Sequence, residues 1–124
     1  MTTDERSLAI DISAREWTPA KEVWPEYPND GVDVKLLYTD PRTGGYAAMV
    51  RLVPGFRTEI LGYHECTQEQ LLLEGSLIET GDPRTAPAYW CHPPKEVHGQ
   101  TVTAGGAISF IVFDGSSDVT VVDA

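Results

Sequence analysis

The sequence has few of the residues that mark several common classes of protein. It has nine basic residues against nineteen acidic ones, which gives a formal net charge of −10. Such an acidic surface repels phosphate backbones and anionic lipids, so we expect neither a nucleic-acid nor a membrane partner. No apolar run approaches the roughly 18 residues of a membrane span, and the polar N-terminus is unlike a secretory signal. These absences predict a cytoplasmic protein.

Cysteine and histidine are also scarce. The two cysteines, Cys66 and Cys91, are too few for a disulfide framework. We therefore expect reduced thiols, although the sequence leaves a Cys66–Cys91 bridge open. The three histidines are His64, His92 and His98, and any chemistry based on imidazole must use them.

Helical patterns are missing as well, because nine prolines and eleven glycines interrupt the chain at short intervals. Short β-rich segments alternate instead with turn sequences such as DPRTGG and GDPRT. They lie at residues 32–39, 46–53, 56–66, 70–80, 86–92, 98–103, 107–115 and 118–122. This spacing predicts an all-β sandwich or barrel at residues 32–124. Residues 1–31 are predicted to form an arm that Trp17 and Trp24 pack against the barrel.

Two of the histidines are candidates for one site. In an antiparallel barrel, inward-pointing positions can bring His64 opposite His98. Two imidazoles together with an oxygen ligand suit Fe(II), Mn, Ni, Cu or Zn. His92 precedes a proline and is interpreted as a rim or packing residue. Arg51 and Glu59 can lie on inward strand positions, where a buried charge needs a partner.

Two segments, PGFRTEILGYHECTQEQLLLEG and PAYWCHPPKEVHG, resemble the two sequence motifs of the cupin superfamily. In the first motif, which contains H-x-H, Glu and Gly, the second histidine matches His64 and the glycine matches Gly75. Gly62 stands at the position of the first histidine, and Gln68 stands at that of the glutamate. In the second motif, His98 matches the histidine. The upstream segment VDVKLLYTDPRTGGYAAMVRLVPG is similar to small cupins of the ChrR-type and acetylacetone-dioxygenase-like group.

The resemblance implies a cupin barrel, a double-stranded β-helix or jelly roll, which commonly dimerises. The implied site is His64, Gln68 and His98, which either hold one divalent metal (Fe, Zn, Ni or Mn) or act without a metal as catalytic groups. In a further alternative, a shifted register makes Cys66 a ligand beside His64, which suits zinc. The pocket for a small organic substrate is then expected to include Arg51, Glu59, Gly62 and Cys66, with Gly62 leaving open space.

The function implied by the resemblance is an enzyme acting at a carbonyl or enol, as an oxygenase, isomerase, cyclase or lyase. The alternative is a non-catalytic module that binds or senses a small molecule. Sensor cupins of anti-sigma factors carry a separate zinc-binding domain, and this sequence has no C-x-x-C pair. We therefore expect an enzyme.

Overall fold

The computed structural model describes residues 8–122, and the described chain is almost entirely β-structure. Its strands are β1 (Thr18–Pro19), β2 (Val32–Thr39), β3 (Tyr46–Leu52), β4 (Arg57–Thr58), β5 (Gly62–Tyr63), β6 (Gln68–Glu79), β7 (Asp82–Thr85), β8 (Ala88–His92), β9 (Thr101–Val102), β10 (Ala107–Phe113) and β11 (Thr120–Val121). A 3-10 turn at Ile12–Ala14 and one helical turn, α1 (Ala20–Val23), precede β2. No helix in this part of the chain is long and apolar enough to cross a membrane. The predicted all-β class is confirmed.

Nine strands form one curled antiparallel sheet in the order β1-β2-β3-β10-β6-β9-β4, and β7 and β8 also pair with β6. Strands β5 and β11 form a separate pair. The long strand β6 joins two parts of the barrel, because its residues 68–72 pair with β8 and its residues 76–79 pair with β7. It bends at Gly75, where φ is +83° and an added Cβ would collide with the backbone oxygen of Gly106. Glycine alone fits this bend.

One predicted turn and three predicted strands, at residues 56–66, 98–103 and 118–122, are wrong in extent. GDPRT is not a continuous turn, because the chain reverses at Thr80 and Gly81, whose φ angles are +48° and +84°, and then enters β7. Positive φ at both central residues makes a hairpin turn that follows the natural twist of the strands. The predicted strand at residues 56–66 is instead two short strands, β4 and β5.

The N-terminal arm joins the sheet through β1, which pairs with β2. Trp17 lies beneath the charged groups of Lys35 and Arg51, at 4.8 and 4.6 Å from its ring centroid. Trp24 packs against the buried cluster that contains Val34 and Phe56. Both tryptophans therefore contact residues of the barrel sheet. The division of the chain at residue 31 stays a prediction.

Candidate functional site

A cavity of about 620 Å³ lies within the barrel, a volume in the range that holds a drug-sized ligand. Most of its wall is apolar, and β2, β3, β10 and the N-terminal arm contribute to it through residues such as Val34, Val50 and Phe113. His64 and His98 also line it. The cavity is therefore an apolar chamber with two imidazoles in its wall.

His64 and His98 lie side by side, with their ring centroids 5.4 Å apart. A short antiparallel backbone pairing brings them together, because Gly62 and His98 exchange two backbone hydrogen bonds of 2.9 and 2.8 Å. The backbone N–H of Lys95 also donates to the carbonyl of His64 at 2.8 Å. The segment around His64 is thus fixed against the segment that carries His98.

The orientation of His64 is set by backbone carbonyls. Its Nδ1 lies 3.0 Å from the oxygen of Ser117 and 3.3 Å from that of Asp118. Since carbonyl oxygens only accept hydrogen bonds, Nδ1 carries the proton. The Nε2 atom of the neutral ring then has a lone pair, and no residue in the range 8–122 makes a hydrogen bond to it. This nitrogen is available to a ligand in the cavity.

His98 is fixed at both ring nitrogens. Its Nδ1 lies 2.9 Å from the carbonyl of Glu96, and its Nε2 lies 3.0 Å from the side-chain amide of Gln68. Burial lowers the pKa of His98 below its usual range, so the ring is neutral near pH 7. With Nδ1 protonated, a neutral ring accepts at Nε2, and the Gln68 amide is therefore turned so that its NH2 group donates. The oxygen of the turned Gln68 amide then faces Gln70, whose amide, turned in the same way, donates to it and accepts from the Ser109 hydroxyl.

His92 lies directly behind His98 and is only 6% exposed. The two rings are stacked, with centroids 3.7 Å apart and an angle of 8° between their planes. Its Nε2 is 2.8 Å from a carboxylate oxygen of Glu79, and its Nδ1 is 2.6 Å from one of Glu96. Burial alone lowers the pKa of His92, but the two carboxylates outweigh it and raise the pKa above its usual range. The charged form is thereby favoured.

The sequence interpretation of His92 as a rim or packing residue missed this buried cluster. Strand alternation carried a usable signal, because His92 shares the buried face of β8 with Trp90. In the same way, Glu79 shares the buried face of β6 with Leu77. An acid and a histidine on inward positions of apolar strands need partners, and here they are each other's partners.

Of the four other residues expected in the pocket, one lines the cavity and three do not. Gly62 lines the cavity, whereas Arg51, Glu59 and Cys66 do not. Arg51 bonds to Asp33 at 2.9 Å, and Glu59 has an exposed side chain. The thiol of Cys66 donates to the carbonyl of Ser116 at 3.2 Å, and both cysteines are free. The expected pocket is therefore corrected at three positions.

Gly62 leaves no open space in place of the missing histidine. A Cβ at this position would lie 2.6 Å from the backbone oxygen of Thr120 and 2.9 Å from a methyl carbon of Val119. Both contacts come from the C-terminal segment, whose strand β11 pairs with β5. The C-terminal segment therefore occupies the space into which the side chain of the motif's first histidine would point.

The donors around the two cavity histidines fit a divalent metal poorly. Besides His64 and His98, the predicted site offers only Gln68, a neutral amide bonded to His98. Among residues 8–122, no group of three or more His, Cys, Asp or Glu side chains could hold a metal ion. Cys66, the alternative ligand, points its thiol at a backbone carbonyl. The set lacks the carboxylate or thiolate charge that usually completes such sites.

Comparisons with known proteins agree with the architecture. A family model described as a ChrR Cupin-like domain matches residues 5–117. A candidate acetylacetone dioxygenase from Methylibium petroleiphilum is 20% identical, covers 99% of this chain and 85% of its own, and superposes with a TM-score of 0.78. The acetylacetone dioxygenase from Acinetobacter johnsonii is 17% identical, with coverage of 98% and 88% and a TM-score of 0.69.

The polyketide cyclase RemF from Streptomyces resistomycificus is similar too, with 14% identity, coverage of 96% and 87% and a TM-score of 0.71. At these identities the solved structures establish the cupin fold and nothing about the reaction. No curated protein matches this sequence closely enough to count as a relative.

Replacing Gly62 with alanine is expected to lower the free energy of unfolding by about 1–3 kcal/mol, because the methyl group overpacks against Thr120. Urea unfolding followed by circular dichroism measures this loss. Gly105→Ala is the matched control, since a Cβ there meets nothing within 4 Å. Equal stability of the two variants would contradict the close approach of β11.

The histidines are expected to titrate in a fixed order, with the pKa of His92 above 6.5 and that of His98 below it. Proton NMR of the three imidazole signals, assigned by single His→Gln variants, measures both values. Glu79→Gln removes one carboxylate from His92 and should lower its pKa, whereas Glu59→Gln, at an exposed site, should not change it. A His92 signal that titrates below that of His98 would contradict the proposed hydrogen bonding.

Proposed function

The chain belongs to the ChrR Cupin-like domain family, and we propose that it is an enzyme that transfers protons on a small organic molecule held in the barrel cavity. The observation that carries the proposal is the state of His64 in the cavity wall. Its Nδ1–H is committed to backbone carbonyls, which leaves Nε2 as a base of fixed orientation. The names of two similar structures, a dioxygenase and a cyclase, support small-molecule chemistry in this fold.

The proposed step begins with a carbon–hydrogen bond next to a carbonyl group of the substrate. Nε2 of His64 takes that proton, and the electron pair of the broken bond forms an enolate. The resulting imidazolium keeps its Nδ1–H bond to the carbonyl of Ser117, which stabilises the charged ring. The proton then returns to another carbon or to the oxygen, so no oxidant or reductant is needed. General base catalysis of this kind contributes about 10²- to 10⁴-fold in rate.

His98 is the second imidazole in the cavity wall. Its ring is held by the Glu96 carbonyl and by Gln68, and it stays neutral because burial lowers its pKa. Gln68 is assigned the role of orienting His98, since it does not itself line the cavity. A wall with one available imidazole nitrogen, on His64, and one fixed neutral ring, that of His98, suits isomerase, cyclase or lyase chemistry better than an oxygenase, whose usual metal the donor set does not fit.

A non-catalytic binding or sensing module is the rival function, since such a protein would use the same cavity. The two functions differ in what His64 does. In an enzyme the Nε2 lone pair removes a proton, whereas in a sensor it only forms a hydrogen bond.

Gln68→Glu is expected to create metal affinity that the native chain lacks, because it adds a carboxylate beside His98. Binding of Zn²⁺ or Ni²⁺, measured by calorimetry on tag-free protein, should become about tenfold tighter or more. Gln70→Glu is the matched control, since it makes the same change two residues along β6 without touching His98. Stoichiometric tight binding by the unmodified protein would contradict the poor fit of the native donors.

His64→Gln is expected to slow proton exchange at the α-carbon of an uncharged cyclic ketone by about 10²-fold or more. Incorporation of deuterium from D2O into 2-tetralone, followed by NMR, measures the rate. Chelator should leave the native rate unchanged, and Tyr89→Phe, at an exposed position outside the cavity, is the control. If the native protein binds the ketone without accelerating exchange, the proton-transfer role fails and the binding module is favoured.

A further inference from the structure

Six rings follow one another along the cavity wall and form what we call the aromatic ladder. Its members, in spatial order, are Tyr27, Trp24, Tyr46, Phe113, His64 and His98. Successive centroids are 6.3, 5.0, 5.0, 4.9 and 5.4 Å apart. These separations are typical of aromatic side chains in contact. The ladder offers a ligand a continuous series of ring faces and edges.

The two ends of the aromatic ladder differ in polarity. At one end, Trp24 and Tyr27 pack against a cluster whose buried members include Val32, Val34 and Phe56. At the other end lie the two histidines, where His64 has an available Nε2. A ligand that matches both ends has an apolar body and a polar group at one extremity.

Charge in the cavity wall restricts the ligand further. Within residues 8–122, no lysine or arginine lines the cavity, whereas Glu26 and Asp118 do. Tyr46 is uncharged, as a tyrosine is at neutral pH, and burial raises its pKa further, to about 12. Its hydroxyl donates to the Ser117 hydroxyl at 3.0 Å. A carboxylate or phosphate would therefore lose its hydration without gaining a cation. The wall disfavours anions.

We infer that the cavity takes an uncharged aromatic ketone or phenol, with its rings along the aromatic ladder and its oxygen-bearing end at His64. The cavity volume of about 620 Å³ suits a polycyclic ligand better than a single small ring. The inference rests on the proposed function, because proton transfer by His64 requires the carbonyl or enol group to be at that end. It adds to that function the class of molecule on which the site works.

Calorimetry with three ligands of one shape tests the inference. The probes are 2-acetylnaphthalene, 2-naphthoate, which replaces the ketone by a carboxylate, and the fully saturated acetyldecalin. The aryl ketone is expected to bind at least tenfold more tightly than the naphthoate, because the wall holds no cation. It should also bind about 3- to 10-fold more tightly than the saturated ketone, because only an aromatic ligand gains from the aromatic ladder.

Two variants check that the aromatic preference comes from the aromatic ladder. Trp24→Leu should reduce the ratio of the two ketone affinities towards one, and Tyr46→Leu is a second variant in case the first does not fold. Tyr89→Leu, which removes an exposed aromatic ring outside the cavity, should leave the ratio unchanged. Naphthoate binding as tight as the ketone, or an unchanged ratio in a folded ladder variant, would overturn the inference.

The outcome also separates this inference from the proposed function. If 2-acetylnaphthalene binds with the expected preferences but its methyl protons do not exchange with D2O, the ligand class stands and proton transfer fails. If 2-tetralone exchanges its α-protons through His64 while the preferences are absent, proton transfer stands and the ligand class fails.

Discussion

The bend of β6 at Gly75 is the constraint on which the site depends. Gln68 and Glu79 stand eleven residues apart at the two ends of this strand, which would separate them by about 35 Å in a straight strand. Yet Gln68 bonds to His98 and Glu79 bonds to His92, and these two rings are stacked at 3.7 Å. The strand must therefore curl back on itself, and the side-chain cluster is a direct result of that curl. A Cβ at position 75 would oppose it.

The two positions at which the sequence differs from the cupin motifs both have defined contacts in the fold. At Gly62, the backbone of Thr120 lies where a histidine side chain would begin. At Gln68, the amide completes the hydrogen bonding of His98 and continues to Gln70. Each altered position is thus packed or bonded in its own right. These contacts support our proposal of a two-histidine chamber that works without a metal.

Strand alternation and turn residues predict most of the fold from the sequence. Strand β2 has the expected bounds, and β6, β8 and β10 differ from their predictions by only a few residues. The pairing of His64 with His98 follows from the spacing of the two motifs and agrees with the ring separation of 5.4 Å. Alternation also explains Arg51, because its neighbours Val50 and Leu52 line the cavity and Arg51 therefore points outwards.

Contacts between distant segments could not be predicted in the same way. The cluster of Glu79, His92 and Glu96 depends on the curl of β6 and on the loop after β8, and neither leaves a local pattern in the sequence. The obstruction at Gly62 depends on where the C-terminal segment returns. The resemblance predicts that a histidine and a glutamate of the motif are replaced by Gly62 and Gln68, and the fold shows what these two residues contact.

The stacked imidazoles explain how an apolar cavity can contain a polar site without a positive charge in the part of its wall that the structure describes. His92 favours the protonated form because two carboxylates bond to it, and it lies behind His98 rather than in the cavity wall. Burial and the nearby charge of His92 both disfavour a proton on His98. The positive charge is therefore kept behind the wall, where Glu79 and Glu96 balance it, and the cavity receives only the neutral ring. An uncharged ligand meets a wall in which residues 8–122 place no cation, and Nε2 of His64 remains within its reach.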